Sequence, residues 1–151
     1  MKYFAYGSNM DPERMKSRKV PFTARKWAIL RGYSLTFDKK AMAGEGIGYG
    51  NIVKCEHFRD SSVEGILYEI DEPGLWRLDN CEGYPHHYDR KELKVELTDG
   101  TNASAWTYTA RPEKVSKGLE PTREYLSHYL KGSDLLSREY VEMLSSVETF
   151  D

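Results

Sequence analysis

The chain is poor in cysteine, has no long apolar run and carries almost no net charge, and each lack excludes something. Cys55 and Cys81 are the only cysteines. Two are too few for a disulfide framework and cannot make a structural zinc site alone, so reduced thiols are expected. No stretch approaches the roughly 20 apolar residues that span a bilayer. Met1–Tyr6 shows no charged leader followed by an apolar run, so a cytoplasmic location away from membranes is expected. The net charge is −2, from 22 basic and 24 acidic residues. That balance argues against nucleic acid as a partner, because such proteins usually show a basic excess or stripe. Internal repeats, low-complexity tracts and linker-like composition shifts are also missing.

What remains is an ordinary globular composition, 39% hydrophobic, in 151 residues. A chain of this size suits one domain, here 1–151, and buries roughly 68–70% of its unfolded surface without staples. Eleven tyrosines put phenol rings in the core or in a pocket.

Lys2–Tyr6 is short and aromatic-rich, which predicts a buried strand. It runs into the turn Gly7-Ser8-Asn9, and Asp11-Pro12-Glu13 then supplies a capping carboxylate, an N1 proline and a first-turn acid. Trp27–Leu30 is apolar, and Tyr33, Leu35 and Phe37 alternate with polar residues as a strand does. Ala43–Gly50 is glycine-rich and predicts a flexible loop, a candidate lid. Strands are predicted at Asn51–Cys55 and Val63–Ile70, and a short helix over Asp71–Cys81 with Gly83 as its stop signal. Leu93, Val95 and Leu97 alternate up to the hairpin turn Asp99-Gly100, with Ala103–Thr109 returning. Helical spacing then links Tyr125, Leu126, Tyr129 and Leu130, and again Tyr140, Val141, Leu144 and Val147. The pattern predicts a mixed α+β fold with mostly antiparallel strands.

Two places suggest chemistry. A glycine turn between a strand and a helix start leaves backbone N–H groups unpaired at the positive end of the helix dipole, suiting an anion or a developing oxyanion. Ser8 and Asn9 add side-chain donors, although Gly, Ser and Asn are also ordinary turn residues. Glu82 lies where the predicted helix meets Gly83, at the unfavourable end of the dipole for a carboxylate. Shielding by Trp76, Tyr84 and Tyr88 would raise its pKa toward the range useful for general acid–base work. Most of the acidic residues, however, must be solvated surface.

Other signals are weaker. Gly44, Gly46, Gly48 and Gly50 alternate, but a G-x-G-x-x-G fingerprint fails at Tyr49 and Asn51. His86 and His87 are adjacent, so on an extended segment they face opposite ways, and two exposed histidines are expected rather than a metal pair. Cys81 beside Glu82 admits a thiol nucleophile, though a buried inert cysteine is the commoner outcome.

Tyr3-Phe4-Ala5-Tyr6-Gly7-Ser8-Asn9-Met10 resembles the signature of γ-glutamylcyclotransferases. Further similar features follow in order: Gly50-Asn51-Ile52-Val53, Val63-Glu64-Gly65-Ile66-Leu67-Tyr68, Leu78-Asp79 before Glu82-Gly83, Tyr88 ahead of Val95, and Pro121-Thr122-Arg123-Glu124-Tyr125. The resemblance covers nearly the whole chain. It implies a compact β-barrel-like fold surrounded by helices, and cyclisation of a γ-glutamyl amide to 5-oxoproline with release of the amine. It also implies that Glu82 is the acid–base residue, that Tyr3, Phe4, Ala5, Tyr6, Gly7 and Ser8 form the substrate loop, extended here to Asn9, and that Tyr125 touches substrate. No metal or organic cofactor is needed, the partner is a small γ-glutamyl molecule, and homodimers occur among similar proteins. Gly83-Tyr84-Pro85-His86-His87 is slightly shorter than in the animal enzymes. Tyr88-Asp89-Arg90 is similar to a branch acting on γ-glutamyl amines or protecting groups, so the leaving amine stays open. The alternatives are that amine-type activity, a non-catalytic small-molecule-binding module on the same fold, or an amidase or transferase using Cys81.

Overall fold

The aromatic run at the start of the chain is extended, and its alternate side chains enter two different apolar clusters. In the computed structural model, which describes residues 1–56 and 61–151, this run is β1 (Lys2–Ala5). Tyr3 and Ala5 join a core with Tyr68, Tyr108 and Tyr129, whereas Phe4 joins a second with Leu30, Leu67 and Val95. Next come α1 (Pro12–Ser17), β2 (Phe22–Arg31), β3 (Tyr33–Lys40), β4 (Gly48–Lys54) and β5 (Ser62–Ile70). The order ends with α2 (Glu72–Glu82), β6 (Tyr88–Glu96), β7 (Asn102–Ala110), α3 (Arg123–Leu130) and α4 (Arg138–Ser145).

The strands β1, β5, β2, β6 and β7 form a closed barrel in that order, and β3 and β4 make a separate two-stranded sheet. Barrel neighbours are antiparallel except at the closure, where Tyr3 of β1 meets Trp106 of β7 in parallel. Closure leaves the barrel strands no open edge. The fold is the expected α+β barrel with helices around it, and no described helix is long and apolar enough to cross a membrane.

The helix that presents Glu82 is well specified locally. Asp71 caps α2 by accepting a hydrogen bond from the Gly74 amide at 2.8 Å, and Pro73 lies in the first turn. Gly83 ends it at φ 69°, a left-handed conformation that suits glycine, and the Tyr84 amide folds back to the Asp79 carbonyl at 2.9 Å. Glu82 is therefore the last helical residue, fixed against a sharp turn.

Two expectations need correction. Gly48, Tyr49 and Gly50 belong to β4, not to a loop, with Gly48 and Tyr49 paired to Lys40 and Lys39 of β3. The glycines there permit close approach rather than flexibility. A Cβ on Gly48 would stand 1.9 Å from the Phe37 carbonyl oxygen, and one on Gly50 would stand 2.0 Å from the Tyr129 hydroxyl. The second correction concerns the cradle. Gly7 leads into a single 3-10 turn, Ser8–Met10, and α1 starts only after Asp11, whose backbone is extended and whose own carboxylate caps the helix through the Glu13 amide at 3.0 Å. The cradle thus sits at the start of one tight turn, not at the N-terminus of α1.

Candidate active site

Where the end of β1, the helices α1 and α3, the end of α2 and the strand β4 converge, they enclose a cavity of about 670 Å³. Tyr3, Tyr6, Gly7, Ser8 and Asn9 line it from the opening segment. Glu82 and Tyr125 reach it from α2 and α3. Phe4 and Ala5 are not in the wall, since both side chains are about 1% exposed within the apolar clusters. Their contribution is to hold the strand from which the cradle projects.

Asn9 ties the cradle to the carboxylate. Its side-chain amide nitrogen lies 2.9 Å from the Tyr3 hydroxyl oxygen and 3.4 Å from Glu82 Oε1. Its side-chain oxygen accepts from Arg18 at 3.0 Å, and its backbone carbonyl accepts from the Tyr68 hydroxyl at 2.7 Å. With so many bonds and 2% exposure, Asn9 has one available orientation. In the Ser8–Met10 turn, Met10 N–H donates to the Gly7 carbonyl and Asp11 N–H to that of Ser8. The amides of Gly7, Ser8 and Asn9 precede those donors and have no acceptor within the turn.

Burial raises the Glu82 pKa, although Arg18, Arg14 and Lys39 pull the other way. Arg18 is the near cation, 3.6 Å from Oε1, and a fifth of the Glu82 side chain remains open to solvent. A carboxylate that is desolvated, yet reachable, is what general acid–base chemistry near neutral pH calls for. Arg14 is held from the far side: its guanidinium donates to His128 Nε2 at 3.4 Å while His128 Nδ1 faces Asp11 at 2.8 Å.

Tyr125 both packs and presents its hydroxyl. The ring lies 5.0 Å from that of Tyr49 and 5.4 Å from that of Tyr129. Its hydroxyl accepts from the Gly50 amide at 2.9 Å and meets the Tyr129 hydroxyl at 3.1 Å. Burial pushes its pKa up to about 12, so it remains a neutral phenol. The Gly50 carbonyl in turn accepts from the Tyr88 hydroxyl at 2.6 Å.

The shielding of Glu82 differs from expectation. Trp76 is 56% exposed and outside the wall, and Tyr84 lies over Arg90 with its ring centroid 5.0 Å from the guanidinium carbon. The tyrosine rings at the cavity are Tyr3, Tyr6, Tyr49, Tyr88, Tyr108 and Tyr125. Sequence reasoning missed the cations Arg14, Arg18 and Lys39. The arginines are four apart, which puts them on one face of a helix next to the cradle. Lys39 lies just past a register shift in β3, between Thr36 and Lys39, which breaks the alternation of Tyr33, Leu35 and Phe37 and brings Lys39 opposite Tyr49. His86 is exposed, as expected, but His87 is half-buried at the cavity, and both lie in the turn after α2 rather than on an extended segment. Cys81 is also in the wall but solvent-exposed rather than buried.

Comparison with known proteins identifies the family and the fold. A family model described as "Gamma-glutamyl cyclotransferase, AIG2-like" matches residues 3–129. A relative from Methanocaldococcus jannaschii is 37% identical over 79 residues, covering 51% of this chain and 61% of the relative, so less than two thirds of that protein is spanned. The gamma-glutamylcyclotransferase of Bos taurus is 25% identical over 152 residues, covering 99% of this chain and 79% of that protein. A solved structure titled "Gamma-glutamyl cyclotransferase" superposes with a TM-score of 0.85 at 24% identity, over 100% of this chain and 89% of that one, and shows the same fold. On this evidence the chain belongs to the gamma-glutamyl cyclotransferase, AIG2-like family.

Proposed function

We propose that this protein cyclises a γ-glutamyl amide to 5-oxoproline and releases the amine, with Glu82 moving the proton. The observation that carries the reading is the Asn9 bridge, which sets a desolvated carboxylate beside a turn with free amides. The substrate's α-amino nitrogen attacks its own γ-carbonyl carbon, forming the ring C–N bond. Glu82 accepts one ammonium proton and passes it to the amide nitrogen as the old C–N bond breaks, and the ring nitrogen sheds its second proton, which leaves with the amine as its ammonium. Because attack is intramolecular, the protein's main task is to hold a folded conformer, and such orientation can contribute roughly 7–11 kcal/mol. The Gly7–Asn9 amides and the Ser8 hydroxyl are the donors for the substrate carboxylate or the carbonyl oxygen as it gains charge. The Tyr125 hydroxyl is a further contact from α3. The chemistry needs no metal or cofactor, and the expected setting is the cytoplasm.

Incubation with a panel of γ-glutamyl amino acids, peptides and amines, with 5-oxoproline followed by mass spectrometry, tests the reaction. Formation of 5-oxoproline from any member supports it. No turnover across the panel points to a binding module instead.

A further inference from the structure

A γ-glutamyl head brings an ammonium as well as a carboxylate, and the cavity wall described so far is rich in donors. The Gly7–Asn9 segment, Arg14, Arg18 and Lys39 all bring N–H groups to it. An ammonium has three protons to place and needs acceptors. Glu82 supplies one. Asn9 and Arg18 both approach its Oε1, and Oε2 makes no hydrogen bond among the described residues.

Tyr108 supplies another in a way that an ordinary phenol does not. It stands on β7, is 3% exposed and forms part of the cavity wall. Burial pushes its pKa up, and the hydrogen bond to Asp79 and the charge of Glu82 add to the rise, so the hydroxyl keeps its proton. That proton is already committed, to Asp79 Oδ1 at 2.7 Å. A hydroxyl has one proton to give, so the rest of the Tyr108 oxygen is acceptor only. Asp79 is held in turn by Arg90, which pairs with its other oxygen and lies over the rings of Tyr84 and Trp106, 5.0 and 4.8 Å from their centroids. Donation to a carboxylate also polarises the O–H bond and makes the oxygen a better acceptor.

The neighbouring phenols share this polarity but not its strength. The Tyr6 hydroxyl donates to the Tyr108 backbone carbonyl at 2.6 Å, and that of Tyr88 donates to the Gly50 carbonyl. Both oxygens are left as acceptors, each backed by a neutral peptide group. Tyr108 alone of the three is backed by a carboxylate, and Asp79 stands on α2 three residues before Glu82, on the same side of the helix end. One helix thus sets both acceptors, Glu82 directly and Tyr108 through Asp79.

We propose that Tyr108 is a second ligand of the substrate's α-amino group, with Asp79 as the positioning residue that keeps its oxygen an acceptor. The inference rests on the cyclase reading above and gives the ammonium its place in it. Tyr108 accepts one ammonium N–H while Glu82 accepts another. Once Glu82 has taken its proton, the bond to Tyr108 restrains the amine nitrogen, so that its lone pair stays available to the γ-carbonyl carbon.

The probes are γ-glutamylalanine and glutarylalanine, the same molecule without its α-amino group. Glutarylalanine cannot cyclise and acts as an inhibitor, so its Ki reports the binding of everything except the ammonium. Tyr108→Phe is expected to lower kcat/KM for γ-glutamylalanine by about tenfold or more, the scale of one hydrogen bond to a charged group, and to change the Ki of glutarylalanine by less than about threefold. Asp79→Asn, which leaves Tyr108 an oxygen without the charge, is expected to show a smaller loss with the same selectivity. Unchanged kcat/KM in Tyr108→Phe overturns the proposal. So does a parallel loss for both compounds, which is what displaced packing would produce, and a parallel loss in Asp79→Asn removes the positioning role of Asp79. Absence of 5-oxoproline from the wild-type enzyme overturns the cyclase reading alone. Dissociation constants of the two compounds, measured by calorimetry in wild type and Tyr108→Phe, then decide on Tyr108 by the same ratio.

Discussion

Gly50 and Tyr125 are joined by a 2.9 Å hydrogen bond in which a strand amide donates to a helix hydroxyl. The contact fastens β4 to α3 across the cavity, and two consequences can be measured.

The first concerns the missing side chain. A methyl at position 50 would sit 2.0 Å from the Tyr129 hydroxyl and 3.3 Å from that of Tyr125. Gly50→Ala must therefore push β4 and α3 apart. Overpacking of this kind costs about 1–3 kcal/mol, here expected at the upper end, so Tm should fall by roughly 6–12 °C. The measurement is a thermal melt beside a kinetic assay, and a Tm equal to wild type contradicts the described packing.

The second concerns the acceptor. Tyr125→Phe keeps the ring stacking but leaves the Gly50 amide without its partner, at a cost of about 1–3 kcal/mol. If the hydroxyl also contacts substrate, KM rises in the same variant. A stability loss with unchanged kinetics assigns Tyr125 to the scaffold, and a change in both assigns it to the substrate as well.

Glu82→Gln retains shape and loses the exchangeable proton site. Turnover is expected to fall by about 10²–10⁴, the range for a positioned acid–base group. Formation of 5-oxoproline at the wild-type rate would remove Glu82 from the mechanism.

The same variant has a pH signature in stability. Because the folded-state pKa of Glu82 is raised, the native state holds its proton more tightly than the unfolded chain does. Its stabilising contribution is then present below the ordinary carboxylate pKa and is lost as pH rises through that value to the folded one. Glu82→Gln should accordingly melt above wild type at neutral pH, with the gap closing on acidification toward pH 4. A gap that widens on acidification would mean that Arg18 and Asn9 stabilise the carboxylate more than burial destabilises it.

Cys81 separates cyclase from thiol chemistry. It is exposed at the cavity wall, next in sequence to Glu82. Cys81→Ser should preserve turnover, while a bulky maleimide on the wild-type thiol should hinder substrate entry. Abolished activity in the serine variant would transfer the catalytic role to the thiol.

Local features were the legible part of the sequence. Asp71, Pro73 and Gly83 delimit α2 because capping and a left-handed stop are properties of a few adjacent residues. The Asp99-Gly100 hairpin is legible for the same reason. The closing contact of Tyr3 with Trp106 is not, since it depends on partners about a hundred positions apart. Gly48 and Gly50 mislead as loop residues because the crowding that requires them comes from Phe37, Tyr129 and Tyr125. Lys39 escapes notice because the register shift after Thr36 breaks the strand alternation that would otherwise place it. The glycine turn stands out by its own residues and Glu82 mainly through family resemblance, but the Asn9 bridge between them appears only in three dimensions.

The Gly50 peptide also offers a way to time the site. Its amide is held by α3 and its carbonyl by β6, through Tyr125 and Tyr88. Hydrogen exchange at that one N–H therefore requires the helix to lift from the sheet. Its exchange rate is a clock for cavity opening, and slower exchange with a bound γ-glutamyl compound would mean that the wall closes on its substrate.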